Sequence, residues 1–214
     1  SLARRLQPLG DYDYVLTDGS AAMLRRARQK LATEEAPIRC VQADFTDVTP
    51  ADLGCAAPVD AVVLVYDGLN YLLEREDVAA LLRCVHGLLR PGGVAVIDQS
   101  TPANSEERGD GFVDEGGRAD FSYVRESHYD PDTRRHETVF SLTVDGQSRT
   151  ERHVQRAYTQ AEVDGFDRVE TVAEVRALID DSPLVAEAAY DEFTTDPAHD
   201  QSYRVHWVLR RPKL

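Results

Sequence analysis

The chain has 214 residues, 42% of them hydrophobic and 29% charged, with a formal net charge of −14. That length suits one well-buried core with a small appendage, and the negative field repels phosphate backbones and anionic membrane surfaces alike, so nucleic acid is not an expected partner. No apolar run approaches the ~20 residues of a bilayer span and the opening "SLARRLQPLG" lacks the apolar centre of a signal peptide, so a soluble, cytoplasmic protein with no membrane partner is expected.

In chain order, residues 2 to 9 read as the tail of an amphipathic helix, with Leu2 and Leu6 four apart and Pro8 and Gly10 closing it. "YVLTD" (14 to 18) predicts a strand, and Ser20 caps a helix that sets Met23, Leu24, Ala27 and Leu31 on one face. "IRCVQADF" is a short strand with its exit loop. "VDAVVLVYD" is a nearly continuous β-branched run, the pattern of a central strand buried on both faces of a parallel sheet. Val78, Leu81, Leu82, Val85, Leu88 and Leu89 repeat at helical spacing until Pro91, Gly92 and Gly93 stop the helix before the strand "VAVID". Alternating strand and helix predict a parallel sheet covered by helices. The three cysteines, Cys40, Cys55 and Cys84, show neither CxxC spacing nor a histidine grouping, so no metal site is expected.

From about residue 101 the pattern changes. "TPANSEERGDG" reads as a polar loop. "ADFSYVRESHYD", "RRHETVFSLTVDG" and "QSRTERHVQRAY" then alternate polar with apolar residues, and Pro131-Asp132 and Asp145-Gly146 supply turns, so an inserted antiparallel sheet is expected. Thr159 to Asp181 returns to helix, with Gly165 as a weak point, and "PLVAEAAYDEF" and "SYRVHWVLRR" close the chain as strands. This divides it into an α/β core of residues 1–100 and 159–214 and an inserted lid of residues 101–158.

Ligands of open α/β sheets bind outside the carboxyl ends of the strands. Asp18 follows one strand, Asp44 the next, and Tyr66 with Asp67 a third. A carboxylate there accepts hydrogen bonds from both ribose hydroxyls of a nucleotide, or it simply caps the following helix; position alone weighs the two equally.

The succession "LTDGSAAMLRRAR", "VQADF", "DAVVLVYDGLNYLL", "LLRPGGVAVID" resembles the motif order of class I S-adenosylmethionine-dependent methyltransferases. The resemblance implies a Rossmann-like sheet, mostly parallel with an antiparallel last strand, and S-adenosyl-L-methionine as cofactor. It implies cofactor contacts at Asp18 (ribose), Gly19, Met23 (packing on adenine), Ala43, Asp44 (adenine amine), Phe45 (backbone donor to the ring) and Tyr66 (methionine moiety). "YDGLNYL" and "ERHVQRAY" are similar to the branch that modifies small molecules. The family's first strand, with its glycine-rich GxGxG loop, would lie just before "SLARRL", and an upstream segment carrying it is expected.

Methyl transfer is an in-line displacement in which the protein mostly holds the acceptor atom behind the methyl, and a base is needed only when the acceptor arrives protonated. His153, Tyr66 and Tyr158 are the catalytic candidates, and Asp67, Asn70, Tyr71 and Arg156 the acceptor-binding ones. Each has a plainer alternative: a solvated sheet face for His153, core packing for the tyrosines, helix capping for Asp67 and Asn70, an ion pair for Arg156. The expected function is methylation of a nitrogen or oxygen of a small-molecule acceptor, with a homodimer left open. A nicotinamide-dinucleotide dehydrogenase and a catalytically silent binding subunit are the alternatives.

Overall fold

In a computed structural model the described residues are 10, 12–31, 38–109, 111–158 and 174–213. The expected helix over 2 to 9 and the stretch 159 to 173 lie outside them. Strand β1 (Val15–Asp18) leads into helix α1 (Ala21–Leu31), β2 (Arg39–Gln42) and β3 (Val59–Leu64). Helix α2 (Arg75–Leu88) runs directly into β4 (Leu89–Ser100). The chain continues through α3 (Pro102–Gly109), β5 (Phe112–Arg118), β6 (Phe121–Asp130), β7 (Arg135–Val144), β8 (Gln147–Arg156), α4 (Glu174–Asp180), β9 (Val185–Asp191) and β10 (Arg204–Arg210).

Three sheets result among the described residues. β1 and β2 pair in parallel; β3, β4, β10 and β9 form a mixed sheet, parallel between β3 and β4 and antiparallel beyond; β5 to β8 form an antiparallel meander in sequence order. The α/β expectation is met as a mixed arrangement, with equal numbers of parallel and antiparallel neighbours outside the meander. Among the described residues β3 is an edge strand, with Val63 44% exposed, rather than a central strand buried on both faces. A β-branched run reports a capacity for two-sided burial, and here only β4 supplies a ladder. β1, β2 and β3 still share a small core, in which Val15, Val41, Val59 and Val62 pack on Val48, Leu53 and Leu88.

The main core lies between helices and mixed sheet. Val78, Leu81, Leu82 and Val85 of α2 meet Ala95 and Ile97 of β4, Val205, Trp207 and Leu209 of β10, and Val175, Leu178 and Ile179 of α4. Side chains of this size each contribute about 1.5 to 3 kcal/mol when withdrawn from water. In α1 only Leu24 is buried; Met23, expected on the same face, is 59% exposed. Among the described residues no helix is long and apolar enough to cross a membrane.

Other departures have local causes. β4 begins at Leu89 rather than Val94, because Pro91, Gly92 and Gly93 end the helix without ending the extended chain. A Cβ on Gly93 would stand 2.9 Å from the Arg90 carbonyl oxygen, so only glycine fits this approach. The polar segment 102–109 is helical: Pro102 sits at the first helical position and the helix buries Ser105 and Gly109, which leaves no hydrophobic periodicity to read. β5 carries no strand signal in the sequence, since Gly116 and Gly117 interrupt its alternation. The turn between β7 and β8 follows expectation, with Asp145 (φ 50) and Gly146 (φ 76) both left-handed, as a two-residue hairpin of matching twist requires.

Candidate active site

At the carboxyl ends of β1 and β2 the register aligns Asp18 with Gln42, and the Ala43 amide donates to the Asp18 carbonyl at 3.3 Å. The Gln42 side chain donates to the Gly19 carbonyl (2.9 Å), tying the two exit loops together. Asp18, Gly19, Ala43 and Asp44 therefore stand on adjacent strand ends. One Asp18 oxygen accepts from the Ser20 amide (2.7 Å), and the Ser20 hydroxyl accepts from the Met23 amide (3.3 Å), which is the capping geometry. Asp44 accepts from both the hydroxyl and the amide of Thr46 (2.7 and 2.8 Å), and these bonds, the hydroxyl's first, hold its carboxyl below the usual carboxylate range. Phe45 packs against the main core.

A second region forms where the loop after β3 faces the meander. Tyr66, Asp67 and Tyr71 on one side, and Phe121, Tyr123, Arg125, Thr138, Phe140, Leu142, Glu151, His153 and Gln155 on the other, line an open cleft of about 610 Å³. Alternation does the work: Phe121, Tyr123 and Arg125 share one face of β6, and Glu151, His153 and Gln155 one face of β8. His153 Nδ1 lies 3.0 Å from the Tyr71 hydroxyl, and its ring meets Phe140 edge-on at 5.5 Å between centroids. Burial, and after it Asp67, raises the Tyr71 pKa, so its hydroxyl stays protonated at neutral pH.

Tyr66 is 82% exposed. Both Tyr66 (φ 68) and Asp67 (φ 62) are left-handed, a conformation costing about 1 to 3 kcal/mol for a residue with a Cβ. Their amides donate to the two oxygens of the buried Asp98 carboxylate, at 2.8 and 3.0 Å. Arg204 Nη1 stands 2.7 Å from Asp98 and 2.7 Å from Asp67.

Three expected site residues are consumed elsewhere. Asn70, 1% exposed, donates to the carbonyls of Ser100 and Arg156 and accepts from the Ser100 amide, so it joins β4 to β8 and has no polar atom for an acceptor. Tyr158 is fully buried and donates to the Leu72 carbonyl (2.6 Å); burial pushes its pKa up to about 12, and its hydroxyl is engaged in the core. Arg156 pairs with buried Glu174 (2.9 Å) and donates to the Leu73 carbonyl, as its plainer alternative had it.

Sequence reasoning missed Asp98, Arg204 and the aromatic wall of the meander. Two polar residues, Asp98 and Gln99, at the end of a buried strand were a usable signal, since buried polar groups demand partners; Gln99 accepts from Trp207 at 2.8 Å. Nothing local in the sequence points to Arg204.

Residues 1–93 match a family model described as a methyltransferase domain. The putative methyltransferase YqeM of Bacillus subtilis is 36% identical over 81 residues, covering 38% of this chain and 31% of that protein. The chain thus spans about a third of the length of the curated relatives it matches. The fold is similar over 99% of the chain to an S-adenosylmethionine-dependent methyltransferase from Clostridium acetobutylicum, of which 79% is covered (TM-score 0.77, 18% identity). It is similar over 99% also to the sugar N-methyltransferase KedS8 from a Streptoalloteichus species, 75% covered (TM-score 0.63, 21% identity). The strand-end acids and the post-β3 loop thus sit in a fold shared with S-adenosylmethionine-dependent methyltransferases, and residues 1–93 carry the match to a methyltransferase domain.

Proposed function

We propose that the protein transfers the methyl group of S-adenosylmethionine to a nitrogen or oxygen of a small molecule held in the cleft between the post-β3 loop and the meander. That cleft is the observation that carries the reading: about 610 Å³ suits a small acceptor, and its walls are aromatic with a few polar groups. The resemblance to a sugar N-methyltransferase adds weight. In this reading residues 1–100 and 159–214 hold the cofactor and 101–158 cover the acceptor.

The described residues suit the cofactor. Asp18 keeps one carboxylate oxygen outside its capping bond, and Asp44 stands on the neighbouring strand end. Met23 and Tyr66 are left 59% and 82% exposed and so are free to pack on a bound ligand. The cofactor would supply a sulfonium methyl and carry its own leaving group. Asp18 and Gly19 would hold the ribose, Met23, Ala43, Asp44 and Phe45 the adenine, and Tyr66 the methionine end. Asp67 and Tyr71 would orient the acceptor. His153 would take the acceptor's proton at Nε2; this requires the tautomer in which Nδ1–H donates to the Tyr71 oxygen, leaving Nε2 basic.

Calorimetric titration with S-adenosylmethionine, S-adenosylhomocysteine and NAD tests the proposal. Both sulfur ligands are expected to bind and NAD is not. Binding of NAD alone would transfer the site to the dehydrogenase reading, and binding of none would favour a silent subunit.

A further inference from the structure

We propose that Asp98 is a positioning residue: its carboxylate clamps the backbone of Tyr66 and Asp67 in the left-handed conformation and so fixes the direction in which the Tyr66 side chain leaves the loop. The consequence for cofactor binding rests on the methyl-transfer reading; the clamp itself does not.

The Tyr66 side chain has little packing to hold it, being 82% exposed, so the direction in which it leaves the chain is set by its backbone alone. That backbone is unfavourable twice over, at φ 68 and φ 62 in consecutive residues that both carry a Cβ. Such strain persists only where surrounding groups over-determine it. The ladder between β3 and β4 ends at the pair Leu64 and Ile97. One residue further along β4, the Asp98 side chain takes over, accepting the amides of Tyr66 and Asp67 on separate oxygens at 2.8 and 3.0 Å.

Asp98 is itself immobile. It is 3% exposed, and its backbone is registered against His206 of β10. From β10 the Arg204 guanidinium reaches across to neutralise it at 2.7 Å and braces Asp67 at the same distance. Two charge-assisted bonds from adjacent amides are the arrangement an aspartate makes well and an asparagine does not, because the amide nitrogen opposes one of the two donors.

The test begins on the unmodified full chain. Hydrogen exchange followed by NMR is expected to show the Tyr66 and Asp67 amides protected like those of the β4 ladder, although they lie in a loop; exchange at the rate of free amides would overturn the clamp. Asp98→Asn is expected to release one of the two amides and to weaken S-adenosylhomocysteine binding about 10-fold. The same substitution is then made in a Tyr66→Gly/Asp67→Gly background, whose loop adopts the left-handed conformation without strain. There the further loss of affinity is expected to fall below about 2-fold. An undiminished loss in the glycine loop would place the effect in the pairing with Arg204 and refute the clamp's role at the site. If the unmodified protein binds no S-adenosylhomocysteine, the methyl-transfer reading falls, while amide protection and its loss in Asp98→Asn still decide the clamp.

Discussion

The two regions at the strand ends are built by opposite means. On the β1 and β2 side the acids are held by neighbours two residues away, Asp18 by Ser20 and Asp44 by Thr46, and they stand near solvent. On the meander side the decisive bonds span the chain: Asn70 with Arg156, Asp98 with Arg204, Tyr158 with Leu72, all through groups withdrawn from water. A site assembled from local turns is exposed and adaptable; one assembled from buried long-range bonds is rigid and costly to disturb.

The largest test of that contrast is Glu174→Ala. Glu174 is 3% exposed and receives Arg134 at 2.8 Å and Arg156 at 2.9 Å, the residue just before β7 and the last of β8. Removing it leaves two guanidinium groups, each with side chains only 17% exposed, without their counter-charge. Loss of one partner of a buried pair costs about 3 to 5 kcal/mol, to be read from urea denaturation. A loss below about 1 kcal/mol would show that the meander is held by its packing and not by this cluster.

On the other side Asp18→Ala sharpens the comparison, because its two roles predict different measurements. If the carboxylate binds the ribose hydroxyls, S-adenosylhomocysteine affinity should weaken by about 1.5 to 3 kcal/mol with stability changed little. A capping role alone would cost about 0.5 to 1 kcal/mol of stability and leave affinity untouched. Calorimetry and thermal melting on the same variant separate them.

What the sequence disclosed follows the same division. The order of strands and helices, the Ser20 cap, the three long meander strands and the hairpin at Asp145-Gly146 were all legible, because each is written in residues a few positions apart. Helix α3 and strand β5 were not: one buries a serine and a glycine in place of an apolar stripe, and the other is broken by two glycines. Asn70, Arg156 and Tyr158 carry the residue types of an active site, and only their partners, about 80 residues distant in sequence, reveal that they join the meander to the core. Asp98 was visible as a polar residue in a buried strand, but its link to the left-handed loop lay in the fold.

Tyr158→Phe measures a smaller quantity. It removes the donor to the Leu72 carbonyl and leaves that oxygen buried without its partner, so stability is expected to fall by about 1 to 2 kcal/mol. Turnover with any acceptor that proves to be a substrate is expected to be unchanged. A fall in turnover beyond about 10-fold at unchanged stability would return Tyr158 to the catalytic set.

The smallest effect separates the regions by pH. His136 on β7 stands 3.0 Å from the buried Ser105 hydroxyl, and burial, with Arg125 second, lowers its pKa; Asp67 opposes this. The unfolded chain, with a histidine pKa of about 6.5, therefore binds a proton before the folded one does. The stabilisation is fully present above about pH 6.5 and declines as pH falls from there toward the lowered folded value. His86, lowered by burial and then by Arg211, slopes the same way. Asp44, held low by Thr46, acts in a separate window, contributing above about pH 4 and losing its effect only as pH falls below it. Melting temperatures at pH 7.5, 6.5 and 5.5 should therefore decline, and His136→Gln should flatten the decline without abolishing it. An unaltered slope in that variant would assign the mid-acid loss to other groups.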